Sequence, residues 1–440
     1  MDDFKEYILK SKNFEELYDI RWKLNIGNKV TKKHYQNLEI GLVNVACMGY
    51  GDIIKCIKLY EYLRKWYPGS TIQILSSSKY KFRNLGFKEP IIDISKKYSK
   101  GISECVNFKN LKLSNNKKFD LYFIVPMIND PFNINDFNKL VPSATLWNTF
   151  TMSEYNDKST EPTDLPTGVG KDKLGLFFDK SIFKKQTTIK NPYALVYIQS
   201  SGEGLLHSRY CFLSFINMII NKTKYREFKT FEVVLPLWIC DDILYYYPFK
   251  KDILKILKKR YNAAEVITEF KKTELFNNKN SKKTHNKNSK NKSKKIIFRG
   301  DILPQPRNKF IGFINGSVKD ILLTGDESLV DTLNCCKNKT IWYQIAPWKI
   351  YLAESLYIQT GNKNYKTYKT SCGNMKGYKF KNDVDKLIKE NDFRIKGKER
   401  IDSILFSFYE NNNDKEIKKM IEIIENSRYL DTLKNKIKNM

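Results

Sequence analysis

Short uninterrupted apolar runs alternate with longer amphipathic segments along most of this chain. That alternation predicts strands buried on both faces, separated by helices. Residues 38–45, LEIGLVNV, are the first such run. They lead through Ala46-Cys47-Met48-Gly49-Tyr50-Gly51-Asp52 into an amphipathic helix over 53–67. Pro68-Gly69 stops that helix before a second strand at 71–75, TIQIL. Further strands are predicted at 90–94 and 120–125. Residues 147–155, including Trp147 and Tyr155, are aromatic and polar without clear period and read as a loop over a cleft. Residues 163–170, TDLPTGVG, are turn-rich.

A second cycle opens with a strand at 193–198, a Ser/Gly loop at 199–207 and an amphipathic helix at 209–221. A strand at 231–237, a basic helix at 253–260 and a short strand at 265–270 follow. After a polar tract, an apolar strand at 296–299 resumes, and Ile302-Leu303-Pro304 leads into another helix. Residues 319–349 then read as strand (320–324), the turn Gly325-Asp326-Glu327-Ser328, helix (329–336) and strand (340–345). Strand, glycine turn, helix and strand make a βαβ unit, and hence a parallel sheet. Beyond 349 come a helix to about 358, a polar loop rich in Lys, Tyr and Gly, and helices from 383 onward.

Two successive α/β cycles predict two facing Rossmann-like domains. The expected organisation is N-terminal helices at 1–36, a first domain at 37–190, a second at 191–400 and C-terminal helices at 401–440 packing back on the domains. Within the second domain, 271–295 reads as a disordered Lys/Asn-rich insertion, too polar to pack.

Composition changes this picture little. At 440 residues, with 41% hydrophobic and 14% aromatic content, the chain is long enough for two full cores. No run of about 18 apolar residues predicts a membrane span. The opening MDDFKEYILKSKNFEEL lacks an apolar signal core, so a cytoplasmic protein is expected. The eight cysteines form no Cys-x-x-Cys pair, and the three histidines, His34, His207 and His285, are far apart. A zinc site is not expected, and the cysteines are expected reduced and buried. The formal charge of +30 suggests an acidic partner, but ten of the lysines lie in 271–295 with one acid. A solvated lysine surface accounts for that pattern, and nucleic acid is not expected as a partner.

Candidate chemistry sits in the two glycine turns. Gly49 and Gly51 let the backbone approach a ligand, with Tyr50 between them. Asp52 at the strand-to-helix turn suits a general base, and serves equally as a plain helix N-cap. In the second turn, the N–H groups of Glu327, Ser328 and Leu329 and the Ser328 hydroxyl would hold a phosphate. The alternative is ordinary capping by Asp326 or Ser328, with acids favoured by the helix dipole.

Two Rossmann-like cycles, Gly-x-Gly-Asp in the first turn and a late strand–GDES–helix resemble glycosyltransferases of the two-domain GT-B fold. The segment MGYGDIIKCIKLYEYLRKWYPGSTIQIL is similar to the heptosyltransferase group. The segment LPQPRNKFIGFINGSVKDILLTGDESLVDTLNCCKNKTIWYQIAPW resembles bacterial arginine rhamnosyltransferases. The resemblance covers about a third of the chain. It implies Asp52 as general base, with Gly49, Tyr50 and Gly51 beside the acceptor or sugar. It implies Glu327 on the nucleotide ribose, Ser328 and Leu329 on the diphosphate, and Asp326 on the sugar or orienting the turn that begins at Gly325. Gln305 would lie near the base, Gln344 near the donor, and Arg209, or failing it Arg299, on the donor phosphate. The acid order here is Asp-Glu where the rhamnosyltransferase turn has Glu-Asp, which leaves open which acid meets the ribose.

No Asp-x-Asp motif falls in a cleft-like position, so a metal-independent reaction is expected; the resemblance implies transfer from a nucleotide-diphosphate sugar, expected to invert, with no other cofactor. The acceptor, whether protein, glycan or small molecule, is not written in the sequence. Two competing readings are a nucleic-acid-binding protein with an inactive α/β core and a nucleotide-sugar epimerase on the same fold.

Overall fold

The apolar run at 38–45 becomes β1 (Glu39–Asn44), a central strand of a six-stranded parallel sheet. The computed structural model describes residues 38–45, 50–94, 117–125, 141, 143–144, 148–156, 164–179, 188–200, 205–222, 225, 227–261, 266–271, 294–344, 350–359, 366–370, 373–380, 384–413, 434–435 and 438–439. The expected helices at 1–36 and most of the lysine tract lie outside them, as does the chain beyond 413 apart from four residues. The chain divides into two units: Met1–Phe178 with Lys389–Met440, and Asp179–Ile388.

In unit 1, β1 is followed by α1 (Gly51–Trp66), β2 (Thr71–Ser76), α2 (Lys79–Asn84), β3 (Ile91–Asp93), β4 (Leu121–Ile124), β5 (Thr149–Met152) and β6 (Asp164–Leu165). The strand order is β3-β2-β1-β4-β5-β6, with Val43 of β1 in register with Leu75 and Ile124. The order reverses between β1 and β4, the point where ligands bind on sheets of this kind. Helix α1 buries Ile53, Cys56, Leu59, Tyr60 and Leu63 at three- and four-residue intervals. Lys55 and Lys58 of the same helix are buried as well. The Lys55 ammonium donates to Ser153 O at 2.7 Å and Thr167 Oγ1 at 2.8 Å, and lies 4.2 Å over the Tyr155 ring. Lys58 donates to Phe177 O at 2.9 Å. A buried cation is tolerable only with such partners.

The C-terminal segment completes unit 1. Leu176 donates to Asn391 O at 2.7 Å and Phe393 donates back to Leu176 O at 3.0 Å. Gly175 sits at φ +100°, where a Cβ would come within 2.6 Å of Asn391 O, so only glycine admits this pairing. Helix α10 (Phe393–Asn413) then packs on α1, with Tyr67 Oη donating to Asp402 at 2.6 Å. Phe393 stacks on Phe177 at 4.0 Å.

Unit 2 contains β7 (Tyr193–Tyr197), α3 (Leu205–Asn221), β8 (Thr230–Val234), α4 (Leu237–Tyr245), α5 (Tyr247–Tyr261), β9 (Val266–Lys271) and β10 (Lys294–Arg299). It continues with α6 (Arg307–Gly316), β11 (Asp320–Leu323), α7 (Asp326–Cys335), β12 (Thr340–Tyr343), α8 (Ile350–Gln359), β13 (Lys366–Thr370), β14 (Gly373–Phe380) and α9 (Val384–Glu390). Its sheet order is β13-β14-β12-β11-β7-β8-β10-β9. All pairs are parallel except β12–β14 and β13–β14. The reversal falls between β7 and β11. Two Rossmann-like parallel sheets are therefore present, as the α/β cycles predict.

Several elements differ from expectation, for identifiable reasons. Residues 147–155 were expected to loop, yet Thr149, Phe150, Thr151 and Met152 form β5 with at most 1% exposure. A strand covered on both faces needs no alternation, so threonines hide it. The expected polar loop after 359 carries the β13–β14 hairpin, held by backbone bonds that need no apolar run. The strand expected to reach 237 stops at Val234, because Pro236 caps α4 instead. Helix α3 starts at Leu205, which puts Arg209 in its second turn. Among the described residues, no helix is long and apolar enough to cross a membrane.

Candidate functional site

In unit 1 the switch point is tied together by Asn44, the last residue of β1, which is fully buried. Its Nδ2 donates to Val125 O after β4 at 2.8 Å and to Asp52 O in α1 at 3.3 Å. Its Oδ1 accepts from Ser76 Oγ of β2 at 3.2 Å. One amide thus joins the ends of three strands to the first turn of a helix. That helix starts behind Tyr50, which makes no side-chain cap. The first intrahelical bond comes from Ile54 to Tyr50 O. Asp52 is therefore a first-turn acid rather than a cap, and it is half-buried. A Cβ at Gly51 would meet nothing within 4 Å, so the protein's own packing does not require glycine there. Tyr50 Oη accepts from Asn84 at 3.2 Å. Gly49 and Trp147 lie outside the described residues. Tyr155 is 3% exposed with its hydroxyl accepting from the Phe177 amide at 3.2 Å, so it covers the core and does not present a sugar platform.

In unit 2 the switch point lies between the turn after β11 and the loop after β7. Strand β11 reaches it through a buried clamp at its opposite end. There Asp320 accepts from Lys222 at 2.5 Å, Tyr225 Oη at 2.7 Å and Trp342 Nε1 at 3.0 Å. Burial pushes the Asp320 carboxyl up, but these hydrogen bonds outweigh it and hold the group below the usual carboxylate range. At the carboxyl end, Gly325 is the N-cap of α7 with φ +83°, and no side chain caps the helix. A non-glycine residue is strained at that angle. The alternative of plain capping by Asp326 or Ser328 does not hold, because both lie inside the helix.

Leu329 N donates to Gly325 O at 3.1 Å. Its amide is spent within the helix and does not face an anion, contrary to expectation. The amides that precede the first intrahelical bond are those of Asp326, Glu327 and Ser328. Asp326 Oδ1 accepts from Tyr343 Oη at 2.9 Å, which fits the turn-orienting role given to this acid. Glu327 is 3% exposed in the first turn, and Ser328 O accepts from Thr332 Oγ1 at 2.7 Å.

Gln344 follows β12 and is buried. It reaches over β11: Oε1 accepts from the Gln199 amide at 3.1 Å, and Nε2 donates to Gln199 O at 3.2 Å and Ser208 Oγ at 3.1 Å. Ser208 Oγ itself donates to Gln199 O at 2.6 Å. Both polar atoms of Gln344 are engaged in holding the loop after β7, so it positions that loop rather than meeting a donor. Asn44 and Ser208 are the positioning residues that the sequence reading missed. Their only signal was a small polar side chain at a strand end or in a helix's first turns.

The two arginines are engaged elsewhere. Arg209 makes a bidentate pair with Asp242, at 2.8 and 3.1 Å, and stacks 3.9 Å from the Tyr246 ring centre. Arg299 spends Nε and Nη2 on Asp301 at 2.7 and 2.8 Å and Nη1 on Glu232 at 2.8 Å. Both guanidiniums are held by neighbouring carboxylates in this arrangement. Gln305 Nε2 donates to Ile302 O at 2.6 Å within its own turn. His207 lies half-buried in the first turn of α3.

Among the described residues, no group of three or more His, Cys, Asp or Glu is placed to hold a metal ion. Cys56, Cys211, Cys240 and Cys336 are free and buried, and burial pushes the Cys211 and Cys336 thiols up to about 12.

No protein-family model matches the chain, and no curated protein matches its sequence. Solved structures superpose on it loosely. A glycosyl transferase family 9 protein from Veillonella parvula DSM 2008 is 13% identical over 68% of this chain and 78% of its own, with a TM-score of 0.31. An alpha-glucosyltransferase in complex with UDP and a 13-mer DNA containing a HMU base is 11% identical over 66% and 73%, with a TM-score of 0.30. With superpositions this loose, the fold is defined by the chain's own strand order.

Proposed function

We propose that the chain is a glycosyltransferase that moves a sugar from a nucleotide-diphosphate donor to an acceptor, with unit 2 holding the nucleotide. The observation that carries this reading is the start of α7. A positive-φ glycine stands where a capping side chain is usual, at the reversal point of a parallel sheet. The amides of Asp326, Glu327 and Ser328 precede the first intrahelical bond and so point out of the N-terminal end of the helix, the arrangement that holds anionic oxygens. The leaving nucleoside diphosphate gains negative charge as the sugar departs, so fixed N–H donors there lower the barrier.

Two carboxylates in the same turn repel a phosphate unless they are otherwise engaged. Tyr343 engages Asp326. Glu327, buried in the same turn, is the acid this reading assigns to a ribose hydroxyl. Asp52, half-buried in the first turn of α1, takes the acceptor proton as general base, and a single such base implies inversion. Metal independence rests on the lack of an Asp-x-Asp motif in a cleft-like position. The acceptor stays open among protein, glycan and small molecule.

The test is a thermal-shift screen of the full chain against UDP, GDP, ADP, dTDP and CMP. One nucleoside diphosphate at saturation is expected to raise the midpoint by several degrees. Asp326→Pro deletes one outward amide at a helix position where proline is accommodated. It is expected to weaken that nucleotide by about 10- to 100-fold, the worth of one charge-assisted bond. Tyr343→Phe keeps the amide but frees the Asp326 carboxylate to repel the phosphate, and should weaken the same nucleotide, by less than Asp326→Pro does. No shift with any nucleotide, or full binding by Asp326→Pro, sinks the reading.

A further inference from the structure

The junction of α4 and α5 carries three consecutive exposed tyrosines: Tyr245 at 78%, Tyr246 at 41% and Tyr247 at 71%. Large rings normally bury most of their area, so three together on the surface mark an interaction site. Their setting is rigid. Arg209, clamped by Asp242, lies 3.9 Å beneath Tyr246 and fixes that ring from behind. Its pairing with Asp242 thus makes Arg209 a support for this ring.

Helix α5 extends the patch. Phe249, Ile253 and Leu257 face the core, which leaves Tyr247, Lys251 and Lys255 in a column on the opposite, exposed side. These residues step about 6 Å along the helix axis. Lys251 and Lys255 make no ion pair with any described residue. The sequence of α5 holds six cations against one acid, Asp252. The patch lies at the carboxyl edge of the sheet. Gly300, just beyond β10, admits α4 so closely that a Cβ there would stand 2.9 Å from Cys240 Cβ. Arg209 adjoins Ser208, which touches the loop after β7.

Flat rings that stack without regard to substituents, interleaved with unpaired ammonium groups, suit a partner that carries both planar rings and regular negative charge. We infer that this tyrosine–lysine surface binds single-stranded nucleic acid, with bases stacked on Tyr245 and Tyr247 and phosphates on Lys251 and Lys255. A neutral glycan would need carboxylates and amides around the rings, and the column presents only cations. An anionic bilayer would need an apolar anchor, and the column has none. This surface is a binding site in its own right and does not depend on the reaction proposed for the α7 turn.

The test measures fluorescence anisotropy of a labelled oligothymidylate and of an abasic strand of equal length, each titrated with the full chain. The parent is expected to bind the thymidylate at least about 10-fold more tightly than the abasic strand, the worth of one stacked base. Tyr245→Ala/Tyr247→Ala should lose about 10- to 100-fold on the thymidylate and nothing on the abasic strand. Lys251→Glu/Lys255→Glu should weaken both strands and lower the slope of log K against log salt by about 1.4. All four side chains point to solvent, and unchanged unfolding midpoints confirm that the variants fold. Equal affinity for the two strands, or full thymidylate binding by the tyrosine variant, overturns the inference and leaves a charged surface only. Binding to anionic vesicles without binding to thymidylate overturns it in favour of a membrane.

Discussion

Each sheet has a switch point beside its first strand, β1–β4 in one and β7–β11 in the other, and the two are finished differently. At β1–β4 the gap is fastened from within: Asn44 ties Val125, Ser76 and Asp52 together with one buried amide. At β7–β11 the fastening comes from a third strand, because Tyr343 and Gln344 at the end of β12 hold α7 and the loop after β7 separately. The internal tie takes only the main-chain oxygen of Asp52 and not its carboxylate, whereas the external brace bonds the first carboxylate of α7, Asp326, through Tyr343. The first arrangement suits proton transfer and the second suits anion binding, and this contrast underlies the division of labour proposed for the two units.

The sharpest way to break that contrast is Asp52→Asn. It should lower kcat by about 100- to 10,000-fold while the nucleotide-induced thermal shift is unchanged. Loss of the shift as well would mean that Asp52 belongs to nucleotide binding. A smaller and paired effect comes from the two fasteners. Gln344→Ala removes the acceptor of the buried Gln199 amide, and Asn44→Ala removes the donor to Val125 O and the acceptor of the Ser76 hydroxyl. Each should cost about 1–3 kcal/mol in urea unfolding, but only Gln344→Ala should also weaken the nucleotide. Equal nucleotide binding by both variants would show that the loop after β7, which Gln344 holds, does not shape the nucleotide site.

The smallest effect concerns protons. The folded Asp320 carboxyl titrates below its unfolded value. Its contribution to unit 2 is therefore complete above the ordinary carboxylate range near 4. It is lost as pH falls through the lowered folded value. The Lys222 ammonium is 32% exposed, so solvent screening keeps the effect modest. Unfolding midpoints measured across acid pH should fall less steeply for Asp320→Asn than for the parent. Parallel curves would remove Asp320 from the acid response.

What the sequence revealed and what it concealed divide along physical lines. LEIGLVNV, TIQIL and DILL were legible because buried parallel strands must be apolar on both faces. Both glycine turns were legible because helix starts announce themselves by residue type. Strand β5 was not, since threonine pays for its burial only through partners that the fold supplies. The β13–β14 hairpin was not, because backbone pairing to β12 leaves no trace in side-chain polarity. At the site, the turn itself was readable but the accounting of its bonds was not. Whether Leu329 N, Gln344 or Arg209 is available depends on Gly325 O, Gln199 and Asp242, which only the fold brings near. Resemblance named these residues as ligand contacts, and their geometry makes two of them supports.

The pairing of Leu176 with Asn391 and Phe393 has a consequence for how the chain is made. Unit 2 is one continuous stretch, whereas unit 1 waits for residues synthesised after all of unit 2. At about 5–20 residues per second, the emerging first sheet spends at least ten seconds without α10. Throughout that time the faces of Tyr62, Trp66 and Phe177 that later stack on Phe393 remain uncovered. The unit translated second can close before the unit translated first, and α10 acts as the closing piece of the first sheet's core.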